Sequence, residues 1–479
     1  MSARYLTTTL PYVNADPHLG HALEFVEADA LARALRLRGD EVFLNIGTDE
    51  HGAKVAQKAE EAGESPQAYA DRFAARFKRF ADRLGISYDA FTRTTDPHHV
   101  AAAQEFWKRC NAAGDIYKAT YEVKYCVGCE LEKTDSELVG GHCPFHPNLE
   151  LEIREEENYY FRFSKYRQAL LDLYAAHPDF VVPGTRLNEV RSFVERGLQD
   201  FSISRVKEKM AWGVPIPGDE AHVMYVWFDA LVNYLSAIGW PSDAAALKTW
   251  WPVTQLAGKD NLRQQAAMWQ AMLLSASVSP SRQIFIHGFI TSGGQKMSKS
   301  LGNVINPLDL VEEYGTDAVR YLLLRHVSPF EDSDLTPEAI REHYTANLTN
   351  GLGNLVARVM KLAETHLSEP VASAEPTPLS DEYFTAIDAF RFNDAMDMIW
   401  AKIAAVDERI AAEKPFAVVK DEPERGRAMI AELVLELYAI GRMLQPFMPA
   451  TADAIKAAVL ANKKPGNLFP RLAEQVFLV

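Results

Sequence analysis

The chain has 479 residues, 48% of them hydrophobic and 24% charged, with a formal net charge of −15 and four cysteines. That length supports two to four domains with sizeable cores, and so few cysteines in so long a chain exclude a disulfide scaffold. Charges interrupt every apolar run well short of the roughly 18 residues a membrane span needs, and the first residues lead into a β-rich run without a signal-like apolar core, so a cytoplasmic protein without a membrane partner is expected.

Residues Tyr5–Leu10 are β-rich and end at Pro11, and a helical pattern over 20–38 carries Leu23, Val26, Ala30, Leu31 and Ala34 on one face before Gly39 closes it. A strand at Glu41–Ile46 and helical stretches to about Leu84 continue the alternation, which predicts a doubly wound, parallel α/β nucleotide fold with its first half over 1–115. The segment Pro17-His18-Leu19-Gly20-His21 falls at the first strand-to-helix turn. Backbone N–H groups and the positive end of the helix dipole gather there, Gly20 lets a phosphate come close, and two imidazoles add donors. Asp49 offers a carboxylate at the next strand end, the usual ligand position in such sheets; its alternative is to cap the helix after Gly52.

Residues 116–222 read as an insertion containing an acidic run at Glu150–Glu157. Cys126-Val127-Gly128-Cys129 and Cys143-Pro144-Phe145-His146 form a CxxC…CxxH pair with 13 residues between its halves. Two-residue spacers let both ligands of a pair face one tetrahedral ion, so Cys126, Cys129, Cys143 and His146 predict a zinc knuckle over 126–146. A redox CxxC and buried small hydrophobes are the alternatives. A closed shell of four protein ligands leaves no position for substrate, so the Zn²⁺ would be structural. Cys110 and His142 read as a helix cysteine and a solvated linker residue.

The α/β pattern resumes at Val223–Tyr225 and continues through Gln283–Phe289, giving a second half over 223–334. Trp227, Ala230, Leu231 and Tyr234 recur at helical spacing, either as core or as an aromatic box suited to a flexible thioether. Gly293 and Gly294 precede Lys296-Met297-Ser298-Lys299-Ser300, a mobile loop able to bring ammonium groups to a phosphate. From 335 to 479 the pattern is helical alone. Met396, Ile399, Trp400 and Ile403 form one stripe, Met429, Leu433, Leu437, Ile440 and Leu444 another, and the Pro/Ser/Glu-rich stretch Ser368–Ser380 reads as an exposed connection.

The two signatures together resemble those of the class I aminoacyl-tRNA synthetases, and the chain is more closely similar to the methionyl-tRNA synthetases. The matching segments are Leu10-Pro11-Tyr12-Val13-Asn14, Gly47-Thr48-Asp49-Glu50-His51-Gly52, Tyr225-Val226-Trp227-Phe228-Asp229-Ala230-Leu231, Gly258-Lys259-Asp260 and His287-Gly288-Phe289. The resemblance runs from about residue 4 to about residue 420. It implies a Rossmann-like doubly wound parallel sheet split by the zinc-knuckle insertion and followed by an α-helical bundle, with the segment from 335 contacting the tRNA stem and reading the anticodon.

It also implies a two-step reaction: a methionine carboxylate attacks the α-phosphorus of ATP, pyrophosphate leaves, and a ribose hydroxyl of tRNA(Met) captures the adenylate. Such chemistry needs alignment and charge stabilisation, with Mg²⁺, rather than an enzyme nucleophile. Carried onto this chain, the catalytic set is His18, His21, Lys296 and Lys299. ATP is held by Gly20, Gly258, Asp260, His287, Gly288, Phe289 and Ser298, where Asp260 takes the ribose hydroxyls or, alternatively, caps a helix. The amino-acid site is Leu10, Pro11, Tyr12, Asp49, Trp227, Ala230, Leu231, Tyr234 and Gln265. Asn354 and Arg358, at i,i+4 spacing on one helix face, and Phe416 in Glu413-Lys414-Pro415-Phe416 would bind the anticodon.

Two departures stand out. After Gly258-Lys259-Asp260 the family's aliphatic residue and Phe-His pair are Asn261 and Gln264-Gln265, and the family's stacking tryptophan is Phe416. A glutamine can donate one hydrogen bond where a histidine would but cannot titrate, and phenylalanine still offers a plane for an unpaired base. The insertion is too short for the large editing domains of the isoleucine, valine and leucine enzymes. A tRNA-independent nucleotidyltransferase is disfavoured by the helical end, and a non-catalytic scaffold by the intact phosphate clamp. With no appended module, a monomer is expected.

Overall fold

The computed structural model describes residues 2–133, 137–296, 305–371 and 379–472. Ser298 and Lys299 lie outside them, as does most of the expected connection Ser368–Ser380.

Six parallel strands form the central sheet in the spatial order Ala90–Arg93, Glu41–Thr48, Ala3–Thr8, Thr254–Gly258, Gln283–His287, Val181–Val182. The chain winds outward in one direction from Ala3–Thr8 and in the other from Thr254–Gly258 to Gln283–His287, beyond which the earlier segment Val181–Val182 forms the edge. At the carboxyl ends of the neighbours Ala3–Thr8 and Thr254–Gly258 the connections diverge, and a crevice opens there. Every residue of Thr254–Gly258 and the last four of Ala3–Thr8 are buried, as a sheet covered on both faces requires.

The helix Leu19–Arg38 ends at Gly39 in the left-handed conformation, φ 97°. It buries 14 of its 20 residues, including Glu24, Glu27 and Asp29, rather than a single stripe. The cause is position: the helix is sandwiched between the sheet and the helix Thr316–Arg325, itself buried from Asp317 to Leu324.

In the insertion, Ile116–Cys126 pairs antiparallel with Glu152–Phe161 from Ile116↔Phe161 to Tyr125↔Glu152. The end of the acidic run is matched by Lys118, whose Nζ lies 3.0 Å from Glu157. Asp219–Met224 joins Ser204–Val206 and Pro215–Ile216 in a small antiparallel sheet, so after the edge strand Val181–Val182 the next strand of the central sheet is Thr254–Gly258, not the segment at Val223. Beyond Asp334 the described chain is helical. The stripes of Phe392–Glu413 and Pro423–Leu444 are buried except for Met429, which is half-buried beside buried Ile430. One continuous core runs from one face of the sheet into this bundle, and a second fills the opposite face against the insertion. Among the described residues no helix is long and apolar enough to cross a membrane.

Bundle and sheet are joined by a buried ion pair. The Arg320 guanidinium, fully buried, lies 2.7 Å from the Asp29 carboxylate and donates to the carbonyls of Phe447 (2.7 Å), Pro446 (2.9 Å) and Leu84 (3.3 Å). Removing one partner strands the other charge, so Asp29→Ala should cost about 3–5 kcal/mol in chemical denaturation. Asp29→Asn combined with Arg320→Met should recover most of that loss, whereas equal losses in both variants would place the cost elsewhere.

Candidate active site and metal centre

A cavity of about 310 Å³ sits in the crevice at the strand ends. The first wall is the turn before Leu19–Arg38. His18 and His21 stack with ring centroids 3.6 Å apart and cap the helix reciprocally: His21 N–H donates to His18 Nδ1 (3.4 Å) and His18 N–H to His21 Nδ1 (3.3 Å). An Nδ1 that accepts carries no proton, so both neutral rings bear theirs on Nε2 as donors. Burial, with His18 and His287 nearby, holds His21 well below the usual imidazole range and keeps it neutral. Gly20 lines the cavity beside them.

The second wall comes from the other half of the sheet. Gly258 ends its strand, and Asp260 follows on a single 3-10 turn without capping a helix, facing the same cavity. His287 Nδ1 donates to Gly288 O (2.8 Å) and Nε2 to Glu24 Oε2 (3.1 Å). The Gly288 carbonyl only accepts, and with Glu24 ionised Nε2 donates as well, which favours the imidazolium form of His287. Burial opposes that charge, but the Glu24 hydrogen bond and the charges of Glu27 and Glu24 outweigh it and hold the ring at about 9. Glu27, buried beside Glu24, is pushed up to about 8 chiefly by burial. Phe289 lines the cavity, and Lys259 Nζ lies 4.4 Å from its ring centroid and 2.7 Å from Asp332. Gly288 does not line the cavity; a Cβ there would come within 2.3 Å of the Glu331 carbonyl oxygen.

The third wall is largely apolar. Leu10, Pro11 and Tyr12 are zipped to Asp49 by Asp49 N–H to Pro11 O (2.9 Å) and Val13 N–H to Asp49 O (3.0 Å). Trp227, Ala230, Leu231 and Tyr234, on the short helices Val226–Leu231 and Asn233–Ser236, face the same space, with Gln265 and Asn261. Gln265 donates to the Tyr234 hydroxyl at 2.9 Å. The helix after Gly52 has no side-chain cap, so Asp49 does not serve as one. Its Oδ1 is buried without a hydrogen-bond partner among the described residues. Burial, reinforced by Asp229, Glu130 and Glu50, raises this carboxyl well above its ordinary range.

Glu24, Lys54 and Glu130 also line the cavity and escaped the sequence reading. Glu24, one turn beyond His21 on the signature helix, carried a usable signal; Lys54 and Glu130 did not, because only the fold brings them in. Lys296 ends the two-residue strand Gln295–Lys296, which pairs with Ile290–Ser292.

The knuckle residues converge. The Sγ atoms of Cys126, Cys129 and Cys143 and a ring nitrogen of His146 all lie within 4.8 Å of one another, and all the cysteines are free thiols. A Cβ on Gly128 would approach His146 Cγ to 2.4 Å, so the turn must be glycine for the ring to enter. Three thiols and one imidazole at this spacing fit a tetrahedral Zn²⁺. The knuckle also abuts the cavity: Cys129 lines it, Lys54 Nζ donates to Gly128 O (2.7 Å), and Glu130 accepts from Tyr12 (3.1 Å) and the Lys54 N–H (3.1 Å).

A separate surface groove of about 400 Å³ on the bundle holds Arg358 and Phe416, with Lys361 and Lys464. Phe416 is 46% exposed, and Arg358 is held by Asp407 at 2.8 Å. Asn354, exposed at the start of the helix Asn354–His366, lies outside the groove's lining.

The sequence model of the family described as "tRNA synthetases class I (M)" matches residues 4–152 and 147–360. Among curated relatives, the methionine–tRNA ligase of Thermosynechococcus vestitus is 43% identical over 94% of this chain and 88% of its own length. That of Mesorhizobium japonicum is 40% identical over 98% of each chain. Among solved structures, Mycobacterium tuberculosis methionyl-tRNA synthetase in complex with methionyl-adenylate superposes with a TM-score of 0.88 at 37% identity, covering 99% of both chains. The apo form of the same enzyme gives 0.81 at 34%, covering 99% of this chain and 97% of the other.

The charge on His287 can be tested by NMR of histidine-labelled protein, in which one imidazole should titrate near pH 9 and fall toward the ordinary range in Glu24→Gln. Because the folded value is raised, the stability it contributes is full below an ordinary histidine pKa of about 6.5 and is lost as pH rises through the folded value. A titration unmoved by Glu24→Gln would contradict the assignment.

Proposed function

The chain belongs to the methionine family of class I tRNA synthetases, and on that premise we propose that it activates methionine with ATP and transfers the methionyl group to the 3′-terminal ribose of tRNA(Met). The observation that carries this reading is one cavity lined by the signature histidines, Asp260 and Asp49, whose Oδ1 has no partner among the described residues.

In the first step a methionine carboxylate oxygen bonds to the α-phosphorus of ATP, and the bond to the β-phosphate oxygen breaks, its electron pair leaving with pyrophosphate. Asp49 receives the substrate ammonium. The Nε2–H groups of His18 and His21 donate to phosphate oxygens whose charge grows along the reaction, and Lys296 and Lys299 neutralise the departing pyrophosphate, where Mg²⁺ bound with the ATP would supply further positive charge; Ser298 belongs to the same signature. Asp260 accepts from the ribose hydroxyls, while Gly258, His287 and Phe289 border the adenosine. Gly288 acts indirectly, by letting the chain at Glu331 pass close. Leu10, Pro11, Tyr12, Trp227, Ala230, Leu231, Tyr234 and Gln265 enclose the thioether. In the second step a tRNA ribose hydroxyl attacks the methionyl carbonyl, and AMP leaves.

Cys126, Cys129, Cys143 and His146 would hold Zn²⁺, which supplies a structural cross-link that fixes the turn carrying Glu130 beside the cavity. The division of labour follows the segments 1–115 and 223–334 for catalysis, 116–222 for the bridging insertion and 335–479 for the tRNA stem and anticodon. Phe416 offers an exposed plane and Arg358 and Asn354 polar groups to unpaired bases. The enzyme acts as a cytoplasmic monomer.

Amino-acid-dependent ATP–pyrophosphate exchange tests the reading: methionine alone among the twenty amino acids should support it, and Lys299→Ala should lower kcat by about 10²–10³-fold without changing the melting temperature. Exchange with a different amino acid, or near-normal turnover in Lys299→Ala, would contradict it.

A further inference from the structure

Behind the apolar wall of the cavity lies a chain of buried polar side chains that the reaction does not consume. Gln255 sits on Thr254–Gly258, Gln265 and Gln270 on consecutive helical turns over Gln264–Ser275, and Ser281 just before Gln283–His287; all four are buried.

Main-chain groups fix the sense of the first member. Gln270 Oε1 accepts from the Ser281 N–H at 2.9 Å, and its amino group donates to the Gln265 carbonyl at 2.7 Å and to Ser281 Oγ at 3.1 Å. Neither backbone partner can reverse roles, so this amide cannot flip. A Ser281 hydroxyl that accepts from Gln270 must place its own proton elsewhere, and Gln255 Oε1 lies 2.6 Å away. The amino group of Gln255 therefore faces Gln265 Oε1 at 2.8 Å, which turns the amino group of Gln265 onto the Tyr234 hydroxyl oxygen at 2.9 Å. Every link has a single direction. Tyr234 accepts from Gln265 behind it, the side-chain amides of Gln255 and Asn233 also lie against its hydroxyl, none of its side-chain hydrogen bonds among the described residues is a donation, and its side chain lines the cavity.

We infer that Gln270, Ser281 and Gln255 are positioning residues for side-chain selection: anchored at the main chain, they force the Tyr234 hydroxyl to present its proton to the cavity, where it favours a thioether sulfur over an isosteric methylene. The inference rests on the methionine reading above. Sulfur is a weak acceptor, but a substrate without one leaves a buried donor unpaired, and sites built to hydrogen-bond a group discriminate against analogues that lack it. Without the Ser281 hydroxyl, Gln255 and then Gln265 can turn over together. Gln265 Oε1 would then capture the phenol proton and the selection would relax.

The test is pyrophosphate exchange by the full chain with methionine and with norleucine, whose methylene replaces the sulfur. Ser281→Ala should raise KM for methionine, lowering kcat/KM roughly tenfold, while norleucine changes less than twofold, so the methionine-to-norleucine ratio contracts. Gln255→Met, close in volume, should contract it likewise. General damage to packing lowers both substrates together, so equal losses, or an unchanged ratio, would overturn the relay. Wild-type protein that exchanges with neither amino acid would overturn the methionine reading and the relay with it.

Discussion

A buried carboxylate oxygen without a partner is costly, and the site is organised around one. Four acidic side chains crowd the carboxyl end of Glu41–Thr48 and its neighbours, and three are answered from within the protein. Glu50 is clasped by Arg93 at 2.7 and 2.9 Å, Asp229 lies between His51 (2.9 Å) and His99 (3.2 Å), and Glu130 meets Tyr12 and the Lys54 backbone. Asp49 Oδ1 alone of these is left without a partner among the described residues, on the wall of the cavity. Burial and then its three acidic neighbours raise its affinity for a proton, and the neighbours' charges likewise favour a substrate ammonium. The proposed reaction follows from that placement: an amino acid held at its ammonium and enclosed at its side chain presents its carboxylate toward the histidine turn.

Two long-range devices keep the walls in register. The knuckle grips the cavity through Glu130 and through the bond from Lys54 to Gly128 O, so a zinc-fixed turn would hold Tyr12 and the helix Ala53–Glu61 in place. The bundle grips the signature helix through Asp29, Arg320 and the carbonyls of Pro446 and Phe447. Arg320 lies on the helix Thr316–Arg325, downstream of the second signature, so one guanidinium carried by the second half touches elements of the first half and of the bundle.

The parallel α/β class and the strands Ala3–Thr8, Glu41–Thr48 and Gln283–His287 were legible because strands and helices alternate there with clear periods, whereas Ala90–Arg93 and Thr254–Gly258 went unread; the bundle was legible because its stripes repeat every three or four residues. The edge strand Val181–Val182 was not, since two residues carry no periodicity, and Asp219–Met224 read as a return to the main sheet because strand pattern does not name its partner. The same limit governs the site. His18, His21 and the knuckle residues are local patterns, and the structure gathers each set. The contribution of Lys54 and Glu130, and the sense of the Gln255–Gln265–Gln270–Ser281 chain, depend on distances that only the fold creates. Glu27 and Asp29 were hidden because a helix buried on every side conceals charge that a one-faced helix would expose.

The central claim is that Asp49 is the ammonium anchor. Calorimetric titration of the wild type and Asp49→Asn with methionine and with 3-(methylthio)propionate, which lacks the ammonium, addresses it directly. The account predicts tight methionine binding only when both charges are present, with either deletion costing about as much as both together. Equal affinity of Asp49→Asn and wild type for methionine would contradict it.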